Sequence, residues 1–170
     1  MRRPTRSKIH ATGIVELELR NARPEDLIAA SELCFRSKAH WGYDAAFMEA
    51  CRRELTLTHR DLRDDHVILS EDESRLTGVA QVSFDHHGCC LERLFVDPRD
   101  MGKGIGRKLF ERSVFIARGL GAKEMLLDAD PQAAPFYLRM GCRLIGTVMS
   151  ESIPGRSLPR LAIDLAHQRL

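Results

Sequence analysis

Alternation of apolar and polar positions predicts short strands in the N-terminal part of the chain. The segment 14–20, IVELELR, alternates with period two and is predicted to form the first strand. Three further apolar segments, 66–70, 76–84 and 89–96, are separated by short polar or glycine-containing turns. Strands joined by such turns are typical of an antiparallel meander.

Apolar residues at helical spacing predict helices on both sides of this meander. Pro24 suits the first turn of a helix that continues to about Ser37. Asp44 is predicted to cap a second helix with Phe47, Ala50, Cys51 and Leu55 on its apolar face. The segment 104–118 has an apolar stripe on one face and predicts a long amphipathic helix.

The C-terminal part of the chain alternates between short strand and helix patterns. Strands are predicted at 124–127, 142–146 and 161–165, and a helix at 131–140 that ends before Gly141. The order of elements therefore predicts a mixed α/β (α+β) architecture, with a mostly antiparallel sheet flanked by helices.

Length and composition fit one globular domain, predicted over 14–166. The 170 residues are 44% hydrophobic, and 26 basic against 24 acidic residues give a net charge of +2. This balance argues against a dedicated nucleic-acid-binding protein, and no apolar run approaches the roughly 20 residues that cross a bilayer. The basic segment 1–13 has no apolar stretch, so we expect a flexible tail rather than a secretory signal.

Five cysteines without a CxxC pair predict free thiols and a cytoplasmic protein. The sequence His86-His87-Gly-Cys89-Cys90 offers soft ligands, but adjacent residues wrap one ion poorly, and we interpret it as a hairpin turn. No metal site is therefore predicted. Exposed strands near the C-terminus make a homodimer a possible assembly.

The most informative segment is LFVDPRDMGKGIGRKL, residues 94–109. Three glycines, at 102, 104 and 106, lie between a strand that ends at Val96 and the long amphipathic helix. Glycine allows positive φ and close approach of a ligand to the backbone, and a helix N-terminus carries unpaired N–H groups and positive potential. Together these features predict a phosphate cradle, flanked by the cations Lys103 and Arg107. A glycine-rich turn without a ligand is the alternative.

Two common phosphate motifs fit this segment poorly. The Gly-x-Gly-x-Gly spacing differs from the Gly-x-Gly-x-x-Gly of dinucleotide-binding folds, and the preceding strand follows a meander rather than opening a βαβ unit. A Walker loop requires Gly-Lys-Ser/Thr, whereas Gly106 is followed by Arg107 and Lys108. A nucleotide-binding oxidoreductase is therefore the weaker hypothesis.

The same segment resembles the GCN5-related N-acetyltransferase (GNAT) family. Met101 to Gly106 stand at the family signature R/Q-x-x-G-x-G/A, and Asp130 to Cys142 (DPQAAPFYLRMGC) resemble its N-P-x-A-x-x-F-Y-x-x-x-G-F segment. Two departures are Met101 in place of Arg or Gln, and Cys142 in place of Phe. The resemblance implies a GNAT-like fold whose sheet is splayed at the cofactor site.

The resemblance also implies acetyl-CoA as co-substrate and direct attack by a primary amine in a ternary complex. The diphosphate would lie on the amides of residues 102–107, the pantetheine along 94–96, and the acetyl group between this strand and 124–127. The cofactor-binding residues implied in this way are Leu94, Phe95, Val96, Met101, Gly102, Lys103, Gly104, Ile105, Gly106, Arg107, Asp130 and Pro135.

Two residues are candidates for proton transfer. The resemblance places Tyr137 where its phenol, protonated at neutral pH, would supply a proton to the leaving thiolate. Glu92 is the candidate base, since strand alternation puts it on the same face as Leu94 and Val96. The alternatives are a packing tyrosine, and a solvent-facing glutamate paired with an arginine.

The resemblance implies that the acceptor side is formed by the loops 40–43 and 152–159, which contain the candidate contacts Trp41, Tyr43 and Arg156. Arg156 could clamp an acceptor carboxylate or cap a strand end, and Trp41 could contact the acceptor or cover the core. We therefore expect a small amine with an acidic or aromatic group, and neither nucleic acid nor membrane as partner. A protein amine as acceptor, and a non-catalytic acyl-CoA-binding module, remain open alternatives.

Overall fold

A computed structural model describes residues 17–73 and 75–166, which form one seven-stranded sheet with helices on both faces. The predicted tail 1–13 and the first residues of the first predicted strand lie outside this range. In chain order the elements are β1 Glu18–Asn21, α1 Leu27–Ala39, α2 Ala45–Ala50, α3 Arg52–Leu55, α4 His59–Asp64, β2 His66–Asp72, β3 Arg75–Asp85, β4 Gly88–Val96, α5 Ile105–Gly119, β5 Glu124–Asp128, α6 Ala134–Arg139, β6 Arg143–Met149 and β7 Ser157–Asp164.

The strand order is β1-β2-β3-β4-β5-β7-β6. The first four strands form the predicted antiparallel meander, β5 joins β4 in parallel, and β7 lies between β5 and β6 with antiparallel pairing to both. The expected mixed α/β architecture with a mostly antiparallel sheet is therefore confirmed. None of the helices in the described residues is long and apolar enough to cross a bilayer.

Side chains on the two faces of the sheet bury into two separate cores. On one face Leu109 and Phe110 of α5 belong to a buried cluster with Ala80 and Val82 of β3. On the other face Leu33 of α1 belongs to a cluster whose buried members also include Leu69 and Val79. Each face is covered because alternate residues of a strand point to opposite sides.

Several element boundaries differ from the sequence expectation. The second predicted helix is divided at Cys51 into α2 and α3; Asp44 caps it by accepting a hydrogen bond from the Phe47 N–H at 2.8 Å, while Ala50 is exposed. The helix predicted from residue 131 starts only at Ala134, because residues 131–133 form a turn. The last two strands are longer than predicted because they pair with each other.

The sheet opens between β4 and β5, as the resemblance implies. Only two pairs join these strands, Cys89 with Met125 and Cys90 with Leu126. Beyond them no strand of the described residues pairs with this edge of β4, so the main chain of Leu91–Val96 borders an open cleft. A β-bulge at Glu92 adds to the divergence, since Val82 pairs with Leu91 and Gln81 with Arg93.

Candidate active site

A cavity of about 990 Å³ occupies this opening. One wall is the free edge of β4, and the cavity continues over residues 100–107 at the start of α5 and along α6. At its other end it is bordered by α1, α3, β6 and β7. We call the part beside α5 and α6 the cradle half, and the part beside α1, α3, β6 and β7 the acceptor half.

The cradle half begins where β4 ends and the chain enters α5. Gly102 and Gly104 have φ of +82° and +83°, and a Cβ atom on either would meet nothing within 4 Å. The first N–H groups of α5 have no partner within the helix, which leaves them available to an anion. Gly106 has a different role, because a Cβ there would lie 3.4 Å from the Phe136 ring and 3.6 Å from Val96.

Two buried aspartates hold the turn that leads into the cradle. Asp97 is 1% exposed and accepts hydrogen bonds from the Arg99 N–H at 3.1 Å, from the Arg99 side chain at 2.9 Å and from Arg36 at 3.1 Å. Asp100 is 2% exposed and accepts two from Arg75, the shorter at 2.7 Å. The guanidinium of Arg99 keeps the pKa of Asp97 well below its ordinary value, and Arg75 likewise lowers the pKa of Asp100.

We expect Asp97→Asn to reduce the free energy of unfolding at pH 7 by about 1–3 kcal/mol, because a buried charge-assisted hydrogen-bond set is weakened. A lowered carboxyl pKa contributes stability above the unfolded-state pKa of about 4, and that stability is lost as the pH falls further. Urea unfolding should therefore show the variant and wild type converging below pH about 4. An equal difference in unfolding free energy between wild type and variant at pH 7 and at pH 2.5 would contradict this expectation. Glu32→Gln, on the exposed face of α1, is the control.

The cations beside the cradle differ in how far they are already paired. The Lys103 ammonium lies 2.8 Å from a carboxylate oxygen of Asp100, so its charge is partly neutralised. Arg107 and Arg139 both line the cavity, and neither has a carboxylate within 4 Å among the described residues. Arg107 was predicted as a cofactor contact, whereas Arg139 was not singled out from the sequence.

Glu92 lines the cavity but does not share a face with Leu94 and Val96. The bulge interrupts the alternation on which that prediction rested: Leu94 and Val96 pack on the core around α5. Glu92 is exposed and accepts a hydrogen bond from the Ser83 hydroxyl at 2.5 Å. Among the described residues its side-chain partner is thus a serine, not the arginine considered as an alternative.

Tyr137 is buried in the core next to Phe136 and Met140, two residues that line the cavity; Tyr137 itself is not among the lining residues. It is 7% exposed, and its ring lies 5.0 Å from that of Phe136 and 6.0 Å from that of Phe110. No hydrogen-bond partner for its hydroxyl occurs in the described part of the chain. Burial raises the pKa of the phenol, so it stays protonated at neutral pH.

Tyr43, Asp130 and Arg156 form one hydrogen-bonded cluster. The Tyr43 hydroxyl donates to Asp130 at 2.8 Å, and the Arg156 guanidinium donates to that hydroxyl at 2.7 Å and to Asp130 at 3.0 Å. The guanidinium also lies 4.9 Å from the centre of the Phe47 ring. Burial raises the pKa of Asp130, but hydrogen bonds from Gln132, Tyr43 and Arg156 outweigh it and the net pKa is lowered.

This cluster changes the interpretation of the predicted acceptor contacts. Of its members only Asp130 lines the cavity; Tyr43 and Arg156 lie outside the lining. Arg156 therefore already has a carboxylate partner within the chain, and neither clamps an open position nor caps a strand by itself. Trp41 does line the cavity, and its carbonyl accepts a hydrogen bond from the Gln132 side chain at 3.4 Å.

A second polar cluster in the acceptor half was missed from the sequence. Gln81, 2% exposed, donates from its amide to Asp65 at 2.5 Å and to Asp61 at 3.0 Å, and its amide oxygen accepts from Arg93. Arg93 also donates to the carbonyl of Glu54 at 2.9 Å. Burial raises the pKa of Asp65. A lone glutamine within the apolar strand LTGVAQVSF was the signal that could have indicated this cluster.

The His86–Cys90 segment forms the predicted hairpin turn between β3 and β4. Asp85, His86 and His87 are exposed with ligand atoms within 4.8 Å of one another, whereas Cys89 is buried. All five cysteines are free, and burial raises the pKa of the Cys34 thiol to about 12. Thiols of this kind are poor nucleophiles at neutral pH.

Sequence comparison identifies acetyltransferase relatives over this region. Residues 63–141 match the family described as an acetyltransferase (GNAT) domain. A glucosamine 6-phosphate N-acetyltransferase of Trypanosoma brucei brucei is 28% identical over 142 residues, which cover 78% of this chain and 92% of the relative. The L-amino acid N-acyltransferase MnaT of Escherichia coli strain K12 is 28% identical over 148 residues, covering 81% and 83%.

The fold is also that of known acetyltransferases. The crystal structure of the PaiA N-acetyltransferase from Thermoplasma acidophilum in complex with coenzyme A superposes with a TM-score of 0.72 at 20% identity. The superposition covers 88% of this chain and 99% of the neighbour. The glycine-rich entry to α5, the α6 segment and the opened sheet thus lie in the expected places, residues 63–141 match the GNAT acetyltransferase domain, and the relatives and structural neighbours are N-acetyltransferases, a class of acyltransferases.

Proposed function

We propose that this protein transfers an acetyl group from acetyl-CoA to a primary amine of a small molecule, by direct attack in a ternary complex. The observation that carries the proposal is the opening of β4 away from β5 directly before a helix N-terminus that can bind an anion. One groove then combines a free strand edge for an extended amide-containing arm with a phosphate site at its end.

The residues of the cradle half fit the diphosphate of coenzyme A. Gly102 and Gly104 leave the space beside the backbone open, and the first N–H groups of α5 have no partner within the helix. Backbone amides can hold the diphosphate without the arginine or glutamine that Met101 replaces. Arg107 and Arg139 supply unpaired positive charge at the same end of the cavity.

The free edge of β4 would hold the pantetheine arm. Leu94, Phe95 and Val96 pair with β3 on one side, and no strand among residues 17–73 and 75–166 pairs with their other side, which leaves those main-chain groups available to a ligand's amides. Because β4 leads from the cradle toward Glu92, the thioester would lie near the acceptor half. The Thermoplasma acidophilum neighbour, whose structure contains coenzyme A, supports coenzyme A as the ligand.

The chemistry requires two proton movements. The amine nitrogen forms a bond to the acetyl carbon while the bond from that carbon to sulfur breaks. We assign to Glu92, through a water molecule, the proton that the amine loses. We assign to Tyr137 the proton that the thiolate gains, because its buried hydroxyl is protonated and has no partner in the described residues.

Replacing Glu92 with glutamine is expected to lower kcat about 100-fold at pH 7, because a positioned base of this kind contributes about 10²–10⁴-fold. The basic limb of the pH profile should be affected least, since the amine then loses its proton to solvent. Initial rates of thiol release across pH, together with acetyl-CoA affinity by calorimetry, test this. Glu111→Gln on α5 is the control, and an unchanged kcat and pH profile in E92Q would remove Glu92 from the mechanism.

The function as a whole is tested with purified protein. Acetyl-CoA should raise the melting temperature by mass action whereas NAD should not, and thiol release should depend on an added primary amine. Binding of acetyl-CoA without turnover of any small or peptide amine would indicate an acyl-CoA-binding module instead. Turnover of peptide amines alone would contradict the small-molecule acceptor.

A further inference from the structure

The two halves of the cavity differ in which charges are left unpaired. In the acceptor half each basic side chain already has a carboxylate partner: Lys38 lies 3.1 Å from Glu54, and Arg160 lies 2.8 Å from Asp128. Arg93 lies 3.4 Å from Asp61 and also donates to two main-chain carbonyls. The described residues of this half thus offer no unpaired cation to an acceptor.

Carboxylates show the opposite pattern. Asp65, Glu92 and Glu151 all line the acceptor half, and none has a lysine or arginine nitrogen within 4 Å in the described part of the chain. Within the described ranges, Asp65 and Glu92 accept hydrogen bonds only from the neutral groups of Gln81 and Ser83. These three side chains therefore make the acceptor half negative, whereas Arg107 and Arg139 make the cradle half positive.

An aromatic side chain in the same half points to the same kind of ligand. Trp41 lines the cavity, and no Lys or Arg of the described residues lies over its ring, in contrast to the rings of Tyr43 and Phe47. The indole face attracts cations more strongly than other aromatic rings. A cavity lined both by carboxylates without a basic partner and by an open indole ring is suited to a ligand with positive charge.

We propose that the acceptor is a small aliphatic amine that carries a second positive charge, a diamine or polyamine. This proposal rests on the acetyl transfer proposed above and specifies its substrate class. One amino group would be presented to the thioester beside Glu92, while a second, still protonated, would be held by Asp65 or Glu151 and by the Trp41 ring. An acceptor with a phosphate or carboxylate would meet like charge without a compensating donor.

This inference separates the chain from two relatives whose names specify an acceptor with an acidic group. The Trypanosoma brucei brucei relative is named for glucosamine 6-phosphate, and the Escherichia coli relative for L-amino acids. The arginine that could serve a carboxylate here, Arg156, is paired with Asp130 and lies outside the cavity lining. The inference of a cationic acceptor also replaces the sequence-based expectation of an acceptor with an acidic group.

Three amines with four carbon atoms each provide the first test: 1,4-diaminobutane, 1-aminobutane and 4-aminobutanoate carry a positive, a neutral and a negative far end, respectively. We expect kcat/KM, measured by thiol release at fixed acetyl-CoA, to be at least about tenfold higher for the diamine than for 1-aminobutane, and lowest for 4-aminobutanoate. The preference should weaken as salt is raised. Equal or better turnover of 4-aminobutanoate would overturn the proposal.

Variants of the carboxylates provide the second test. Asp65→Asn preserves an oxygen for the Gln81 amide and should lower kcat/KM for the diamine about tenfold, mainly through KM, and for 1-aminobutane less than about twofold. Glu151→Gln should change kcat/KM in the same direction. Because Glu151 is exposed, this variant serves as the test if D65N is unstable. Glu111→Gln should change neither value.

The outcomes distinguish this inference from the function on which it rests. Equal losses for both amines in D65N and E151Q would show a general structural effect and overturn the charge recognition. Efficient turnover of a lysine-containing peptide but not of the diamine would overturn the small-molecule class while leaving acetyl transfer intact. Acetyl-CoA binding without thiol release for any amine would overturn both proposals.

Discussion

Tyr137→Phe is expected to lower kcat about 10²–10³-fold and to leave the melting temperature unchanged or slightly higher. The two effects have different causes. The proposed proton donor is lost, but the hydroxyl is buried and has no hydrogen-bond partner among the described residues, so its removal relieves a desolvation penalty. The proposal therefore gives the Tyr137 hydroxyl a chemical role rather than a structural one.

The only other tyrosine provides the matched control for this variant. In Tyr43→Phe the lost hydroxyl leaves Asp130 and Arg156 without hydrogen bonds of 2.8 and 2.7 Å. We therefore expect Y43F to lose about 1–2 kcal/mol of stability with a much smaller change in kcat. Thermal unfolding, acetyl-CoA titration and steady-state rates distinguish the two. Near wild-type kcat in Y137F would mean that solvent protonates the thiolate and that Tyr137 only packs.

Gly104→Val is expected to weaken acetyl-CoA binding about 100-fold or more, which corresponds to about 2.7 kcal/mol. Gly104 is the N-terminal cap of α5 with φ of +83°, which a β-branched residue adopts only with strain. Its added methyl groups would project into the open space where we place the diphosphate. Calorimetric titration with acetyl-CoA gives the dissociation constant directly.

Backbone strain and blockage of the diphosphate site can be distinguished with a glycine just beyond the C-terminal end of α5. Gly121 follows α5, has φ of +84°, and a Cβ there would also meet nothing within 4 Å. Gly121→Val should therefore cost about the same 1–2 kcal/mol of stability as G104V, yet leave acetyl-CoA affinity unchanged. If the two variants lose affinity equally, the effect is one of fold stability, and the diphosphate does not lie at Gly104.

Most of the cradle half could be predicted from the pattern of residues that are neighbours in the sequence. The glycine spacing, the strand before it and the amphipathic stripe after it are all contained in the segment 94–118. Backbone conformation and helix N-terminal potential follow from neighbouring residues, so this part of the site could be described before any tertiary contact was known. Arg139 was overlooked because it belongs to a different helix, whose approach to α5 depends on packing.

The acceptor half, in contrast, depends on contacts between residues that are distant in the sequence. Strand alternation groups Glu92 with Leu94 and Val96, but a bulge is a property of two paired strands, and the partner β3 decides where the extra residue lies. In the same way Arg156 is an isolated cation in the sequence, and only the folded chain brings it to Asp130 and Tyr43, residues 26 and 113 positions away.

Local pattern was sufficient to predict the antiparallel meander and the glycine-rich entry to α5 and to find the family resemblance, because period-two spacing, helical spacing and turn chemistry are properties of neighbouring residues. The bulge at Glu92 and the set of neutralised charges in the cavity followed only from the folded chain, whereas the opening between β4 and β5 was implied by the family resemblance and by no local pattern. Pairing and ionic contacts join residues distant in sequence, and no local pattern specifies which of the 26 basic residues finds which carboxylate.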